Sequence, residues 1–206
     1  MECNKIHIGC GHEHRKNFIN IDKAKEVEPD KVMDIENGFP KNWTDKFDYI
    51  YSSHCLEHIR PHKWNFVLNE IARIAKHNCI LELKLPFDSI RCRGNIDHYR
   101  IFNFGSWEQL YVSRGRNYYS RLRLMPIIKY SYFTKLFFYL FPILKAEVHF
   151  KFYVIKGEGG YICVECGKII NAIKGSMKHP YCKECFSKVW NNDYDKYHDW
   201  MRGSHF

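Results

Sequence analysis

A short alternating segment, Lys5-Ile6-His7-Ile8, runs directly into Gly9-Cys10-Gly11, and a second apolar segment, Phe18 to Ile21, ends on Asp22. Glycines reach backbone conformations closed to other residues, so the pair marks a tight turn at the end of a strand. From Gly11 to Phe18 there is too little chain for a full crossover helix; one or two helical turns are expected there. Lys31 to Ile35 and Phe47 to Ser52 read as further short strands, separated by the turn Asn37-Gly38-Phe39-Pro40. Between Trp64 and Lys76 the apolar residues Phe66, Val67, Ile71, Ile74 and Ala75 recur with a helical period, and His77-Asn78 marks the end of that helix. Cys79 to Leu85 alternates like a strand and stops at Pro86. This order of strands and connections predicts an α/β fold, with a parallel sheet and crossover helices.

Further along, Phe87 to Tyr99 is polar and reads as a loop over the carboxyl edge of the sheet. Ser106 to Val112 has the start signal of a helix, with Ser106 as N-cap and Gln109 at the capping-box position. Tyr132 to Leu144 (YFTKLFFYLFPIL) is strongly apolar, but its about 13 residues fall short of the ~20 that span a bilayer. It reads as a helix packed on the sheet, with peripheral membrane contact as the alternative. Glu147 to Lys156 alternates as a final strand, and Gly157-Glu158-Gly159-Gly160 is a linker. The expected organisation is a main domain over 1–156, a small module over 157–190 and a tail over 191–206.

In an open α/β sheet a ligand binds at the carboxyl ends of the strands. There a glycine turn lets backbone approach it, and an acid after the next strand accepts hydrogen bonds from ribose hydroxyls. Gly9, Gly11 and Asp22 stand in those places. His14 occupies the third glycine position of the dinucleotide fingerprint. Other pieces follow in order: Met33-Asp34-Ile35, Phe47-Asp48-Tyr49-Ile50, Ser53-His54-Cys55-Leu56-Glu57-His58, Glu70-Ile71-Ala72-Arg73-Ile74, Leu83-Lys84-Leu85-Pro86, Asp97-His98-Tyr99-Arg100 and Val148 to Phe152.

Together these pieces resemble the class I S-adenosylmethionine-dependent methyltransferases, in their compact type-11-like group, over residues 5–156. The resemblance implies a Rossmann-like sheet with helices on both faces and S-adenosyl-L-methionine as cofactor. It implies that Gly9 and Gly11 face the methionine part, Asp22 the ribose, and Asp34 with the Ile35 backbone the adenine, while His54 lines the transfer pocket. The family places an acid two positions before the first glycine, whereas this chain has His7. Methyl transfer is an in-line displacement in which alignment supplies much of the acceleration. For a hydroxyl acceptor a base would help, and His54, His58 and His98 are the candidates because imidazole titrates near neutrality. Glu57 and His58 have a second reading, as residues that orient the following helix.

The nine cysteines divide unequally. Cys163 and Cys166 form one CxxC pair and, after fifteen residues, Cys182 and Cys185 form another. That spacing matches a four-cysteine Zn2+ ribbon, with two thiolates on each tight turn reaching one metal. A segment of this size buries too little apolar area to fold alone, so structural zinc would supply most of its stability. Cys3, Cys10, Cys55, Cys79 and Cys92 are expected as small buried side chains.

The first residues lack the apolar stretch of a secretory signal, so a reducing, cytoplasmic setting is expected. The formal net charge of +9 favours an anionic partner, either nucleic acid or a phosphorylated glycan precursor. Two functions follow. One is an S-adenosylmethionine-dependent methyltransferase acting on nucleic acid or on a glycan or nucleotide-sugar; the other is a non-catalytic zinc-ribbon binding protein on a decayed methyltransferase scaffold.

Overall fold

The computed structural model describes residues 4–88, 90–110, 122–127, 140–141, 147–156, 161–162, 169–170, 187 and 191. Among them, β1 (Lys5–Ile8), β2 (Ile19–Asp22), β3 (Lys31–Val32), β4 (Phe47–Ser53), β5 (Ala75–Pro86), β6 (Leu124–Pro126) and β7 (Glu147–Val154) form one sheet. Its order is β3-β2-β1-β4-β5-β7-β6. The first five strands are parallel and follow the doubly wound, Rossmann-like order, while β7 is antiparallel to both neighbours. The sheet is therefore mixed rather than parallel. The chain winds outward from β1 in one direction and from β4 in the other, so the topological switch point lies between these two strands, where such sheets bind ligands.

Burial explains why these segments pair. Cys79, Leu81, Leu83 and Leu85 of β5 and Val148, Phe150, Phe152 and Val154 of β7 are buried in alternation. The period of two gives both strands one apolar face. α1 (Trp64–Ile74) lays Val67, Leu68, Ile71, Ala72 and Ile74 into the core shared with Ile6, Ile8, Ile50 and Leu81. On the β5–β7 pair, Glu82 lies opposite Lys151, with a salt bridge of 3.0 Å, and Tyr49 of β4 donates to the same Glu82 carboxylate. Of the scattered cysteines, Cys10, Cys79 and Cys92 are buried and Cys55 is half-buried.

Several elements depart from the sequence expectation. The connection from β1 to β2 contains turns and no helix. Asn20 organises it: its Oδ1 accepts from Arg15 N (2.8 Å), and its Nδ2 donates to Arg15 O (3.2 Å) and to Asp30 Oδ2 (2.9 Å). A buried side chain thus provides partners that a helix would otherwise supply. α1 ends at Ile74, and the next residues already belong to β5, because Lys46 N and Asp45 N donate to Ile74 O and Arg73 O and draw the chain into the sheet. Asn78 adopts φ 63 within β5, where the β4–β5 register shifts between Phe47 and Tyr49. The third strand is only two residues long.

Residues 87–99 include one helical turn, α2 (Ile90–Arg93). Ser106 Oγ accepts from Asn103 N at 2.8 Å, and the described residues that follow hold a 3-10 turn, Glu108–Leu110; Tyr111 and Val112 of the expected helix lie outside the described residues. Among the described residues α1 is the only helix longer than one turn, and none is long and apolar enough to cross a membrane. Tyr132 to Leu144 lies outside the described residues except for Leu140 and Phe141, both exposed. β8 (Tyr161–Ile162) and β9 (Ile169–Ile170) pair antiparallel. Cys163 and Cys166 fall in sequence between them; these two, with Cys182 and Cys185, lie outside the described residues.

Candidate functional site

The turn after β1 places Gly9 at φ +67 and Gly11 at φ +50. At Gly9 a Cβ would come within 2.5 Å of Cys55 Cβ and Sγ, so only glycine lets the turn pass against the segment leaving β4. At Gly11 a Cβ would meet nothing within 4 Å. Gly9 N and Cys10 N both donate to Ile21 O, tying the turn to β2. Asp22, at the end of β2, accepts from Gly11 N through Oδ2 (2.9 Å) and from Ala24 N through Oδ1 (2.9 Å). Each oxygen keeps a further acceptor position.

After β3, Asp34 begins a 3-10 turn, Ile35–Asn37, and its Oδ1 accepts from Glu36 N at 2.9 Å. Glu36 is buried. Burial acts to raise its pKa, but hydrogen bonds from the Arg60 side chain and backbone outweigh that and hold it below the usual carboxylate range. The pair fastens this turn to the segment after β4.

These pieces surround one cleft of about 610 Å³ at the carboxyl ends of the strands, next to the switch point. Gly9, Gly11, Asp22, Asp34, Ile35 and His54 all line it. The volume is in the range of small-molecule sites. His7, Glu36, Cys55, His58, Arg60 and Tyr99 also line the cleft.

His7 is 1% exposed, and neither ring nitrogen has a hydrogen-bond partner in the structure. Its ring meets Tyr51 edge-on at 4.9 Å, and the Arg15 guanidinium stacks on that tyrosine at 3.3 Å. Burial, with the charge of Arg15, lowers the His7 pKa to about 4. It is therefore a neutral imidazole in the wall of the cleft, with both ring nitrogens buried.

His54 is different. It sits at φ 48 just beyond β4, with Nδ1 3.2 Å from Glu57 Oε1 and Nε2 2.9 Å from Glu147 Oε1. Hydrogen bonding to Glu57, assisted by Glu147 and opposed by burial, raises its pKa to about 9. At neutral pH it is an imidazolium whose two N–H groups are both engaged, so it has no lone pair with which to act as a base. Its charge is balanced by the two carboxylates, and its role is to tie the segment after β4 to β7.

His98 does not line the cleft; it is held between Cys92 Sγ (3.5 Å from Nδ1) and Asn95 Nδ2 (3.1 Å from Nε2). It meets His58 instead, with ring centroids 5.1 Å apart. Burial pushes the Cys55 thiol up to about 12, and burial together with Asp22 pushes Cys10 up to about 11. Neither thiol beside the glycine turn is a nucleophile near neutrality.

Sequence reasoning missed the partners that come from distant strands. Glu147 lies 93 residues from His54, and Glu36 lies 24 residues from Arg60. No local pattern joins either pair. The neutral state of His7 was also invisible, because it follows from burial rather than from its neighbours in sequence.

No family profile matches this chain, and no curated protein sequence does. Among solved structures it is similar to an S-adenosylmethionine-dependent methyltransferase from Archaeoglobus fulgidus, at 12% identity and TM-score 0.49, over 75% of this chain and 86% of that one. It is similar over shorter stretches to the PH0226 protein from Pyrococcus horikoshii OT3 (16% identity, TM-score 0.33, 39% and 48% covered). The same holds for an S-adenosylmethionine-dependent methyltransferase from Mesorhizobium loti (13% identity, TM-score 0.33, 42% and 50% covered). The matched region spans about half the length of each of these two proteins. Such identities speak to fold alone, and the Rossmann-like assignment rests on the strand order given above.

Proposed function

We propose that the chain is an S-adenosylmethionine-dependent methyltransferase. The observation that carries this reading is the convergence of Gly9, Gly11, Asp22, Asp34 and Ile35 on one cleft at the switch point of a Rossmann-like sheet. The donor set fits a nucleoside with an amino-acid arm. Gly11 leaves open the space that a side chain would fill, so backbone can approach the methionine portion. Asp22 has acceptor positions left for ribose hydroxyls, and its own carboxylate is held by two backbone amides. Asp34 and the Ile35 backbone flank the place of the adenine. His7, a neutral acceptor where the family has an acid, takes the hydrogen bond of the methionine ammonium.

When bound, S-adenosylmethionine supplies a methyl group on a sulfonium sulfur, ready for in-line displacement. The chain's own contribution is alignment. The Arg60–Glu36 pair holds the adenine turn, and Asp22 ties the glycine turn to β2. His54, paired with Glu57 and Glu147, holds the segment after β4 against β7 at the edge of the cleft. The acceptor itself is nucleic acid or a glycan or nucleotide-sugar, in keeping with the net charge of +9. Cys163, Cys166, Cys182 and Cys185 form a structural Zn2+ ribbon that aids recognition, and the protein works in the cytoplasm.

Calorimetric titration of the purified chain with S-adenosylmethionine tests the enzyme reading. Binding that is lost in Asp22→Ala supports it. No heat at millimolar cofactor would overturn it and leave the non-catalytic zinc-ribbon function. Labelled cofactor incubated with nucleic acid, protein and glycan fractions then identifies the acceptor class.

A further inference from the structure

Beside the cleft, Glu57, His58 and His98 each present one ligand atom to a common point, and these three atoms lie within 4.8 Å of one another. Glu57 is fully buried; its Oε1 faces His54, while its Oε2 has no hydrogen-bond partner in the structure. A buried carboxylate oxygen without a partner is costly, and natural proteins supply such an atom with a donor, a water or a cation.

His58 is prepared in the way that a metal-binding histidine is, while His98 would exchange its contact with Asn95 Nδ2 or Cys92 Sγ for the ion. His58 Nδ1 lies 2.9 Å from Asp97 O, so this nitrogen carries the proton and donates, which leaves the Nε2 lone pair free. A backbone carbonyl that fixes the tautomer and ring orientation is the usual outer support of a ligating imidazole. Tyr99 N and Arg100 N donate to Glu57 O (2.9 and 3.3 Å), so the loop carrying His98 is pinned to the turn that carries Glu57 and His58. Ligand atoms around a four-coordinate ion at 2.0–2.2 Å stand about 3.4 Å apart, so modest side-chain rotation closes the group.

We infer that Glu57, His58 and His98 form a binding site for a divalent metal ion of the class that takes imidazole and carboxylate ligands. Two histidines and one carboxylate are a ligand set for zinc, manganese, cobalt or iron in the divalent state, and three protein ligands leave coordination positions open. The ligand set differs from that of the four C-terminal cysteines, which are soft thiolates. Its place at the edge of the cleft, through His58, has a consequence that rests on the methyltransferase reading. An ion there would polarise an acceptor hydroxyl and do the work of the base that the protonated His54 cannot do.

Binding itself can be scored without any cofactor. Manganese(II) is the suitable probe because thiolates hold it poorly. Full-length protein, stripped with chelator and dialysed, is titrated with manganese(II) chloride, and free ion is followed by electron paramagnetic resonance in the absence of S-adenosylmethionine. The expected result is one site per chain, weakened more than tenfold in His98→Ala and in His58→Ala and unchanged in Cys163→Ser. His98 and His58 are not fully buried, so both variants should keep the wild-type far-ultraviolet circular dichroism, which is recorded alongside. No bound manganese up to millimolar concentration overturns the proposal, as does a His98→Ala titration that superimposes on the wild type. Neither failure touches the cofactor cleft, whose own titration with S-adenosylmethionine is scored separately.

Discussion

At Gly9 and Gly11 the same residue type answers two different demands. Gly9→Ala adds left-handed strain of about 1–2 kcal/mol and a Cβ that would lie 2.5 Å from Cys55, which overpacks the turn by a further ~1–3 kcal/mol. Gly11→Ala meets no atom and carries only the backbone strain, about 1–2 kcal/mol. Denaturant titration should therefore rank Gly9→Ala clearly below Gly11→Ala in stability; equal midpoints would contradict the close approach to Cys55. His7 makes a prediction in pH. Its pKa is lowered in the folded chain to about 4 from 6.5, so protonation favours the unfolded state. The stability it contributes is complete above pH 6.5 and is lost as pH falls toward 4. The loss amounts to about 2 kcal/mol, below full conversion because water reaches the adjoining cleft. His7→Gln should flatten the stability curve across that interval, and an unchanged slope between pH 6.5 and 4.5 would show that the ring is not buried in its neutral form.

At the scale of elements, α1 serves both the core and the cleft. Leu68 and Ile71 on its buried face are each expected to cost about 2–5 kcal/mol when cut to alanine, the ordinary range for a filled core position. On its flank, Glu70 Oε2 accepts from Phe39 N (2.8 Å) and from Arg73 Nη2 (2.7 Å), and that same Nη2 donates to Phe39 O at 2.9 Å. Helix and loop are thus clasped just beyond the turn that begins at Asp34. Glu70→Ala and Arg73→Ala should each destabilise by about 1–3 kcal/mol, and the double variant should cost less than their sum, because each leaves the other's partner orphaned. Additive losses in a double-mutant cycle would mean the two act separately. Elements like α1 and β7 were legible in the sequence because their burial follows a local period. The start of β5 was not, since the helical period runs on through Ala75 and Lys76-His77-Asn78 has no strand-forming residue. β6 is only three residues long and follows a basic, aromatic run, so no pattern announces it. In the cleft, Gly9, Gly11, Asp22 and Asp34 could be read because each stands at a strand end in sequence order. The Glu36–Arg60 and His54–Glu147 pairs, and the meeting of Glu57, His58 and His98, required the tertiary fold to bring them together.

For the whole molecule, two claims stand apart. The C-terminal cysteines predict at least one equivalent of zinc per chain in protein purified without chelator, and Cys182→Ser should lose about one equivalent along with the structure of that module; less than half an equivalent in the wild type would count against the ribbon. The charge of +9 predicts that association with a polyanionic acceptor weakens steeply as salt rises. Both claims could hold with the cleft empty of function, so the decisive test lies at the switch point of the sheet. It is the binding isotherm of S-adenosylmethionine to wild-type protein and to Asp22→Ala, with circular dichroism confirming that the variant is folded. Saturable one-to-one binding that falls at least tenfold in the variant is the predicted result. No binding to the wild type at millimolar cofactor, or equal binding by both proteins, would contradict the cofactor site proposed for this cleft.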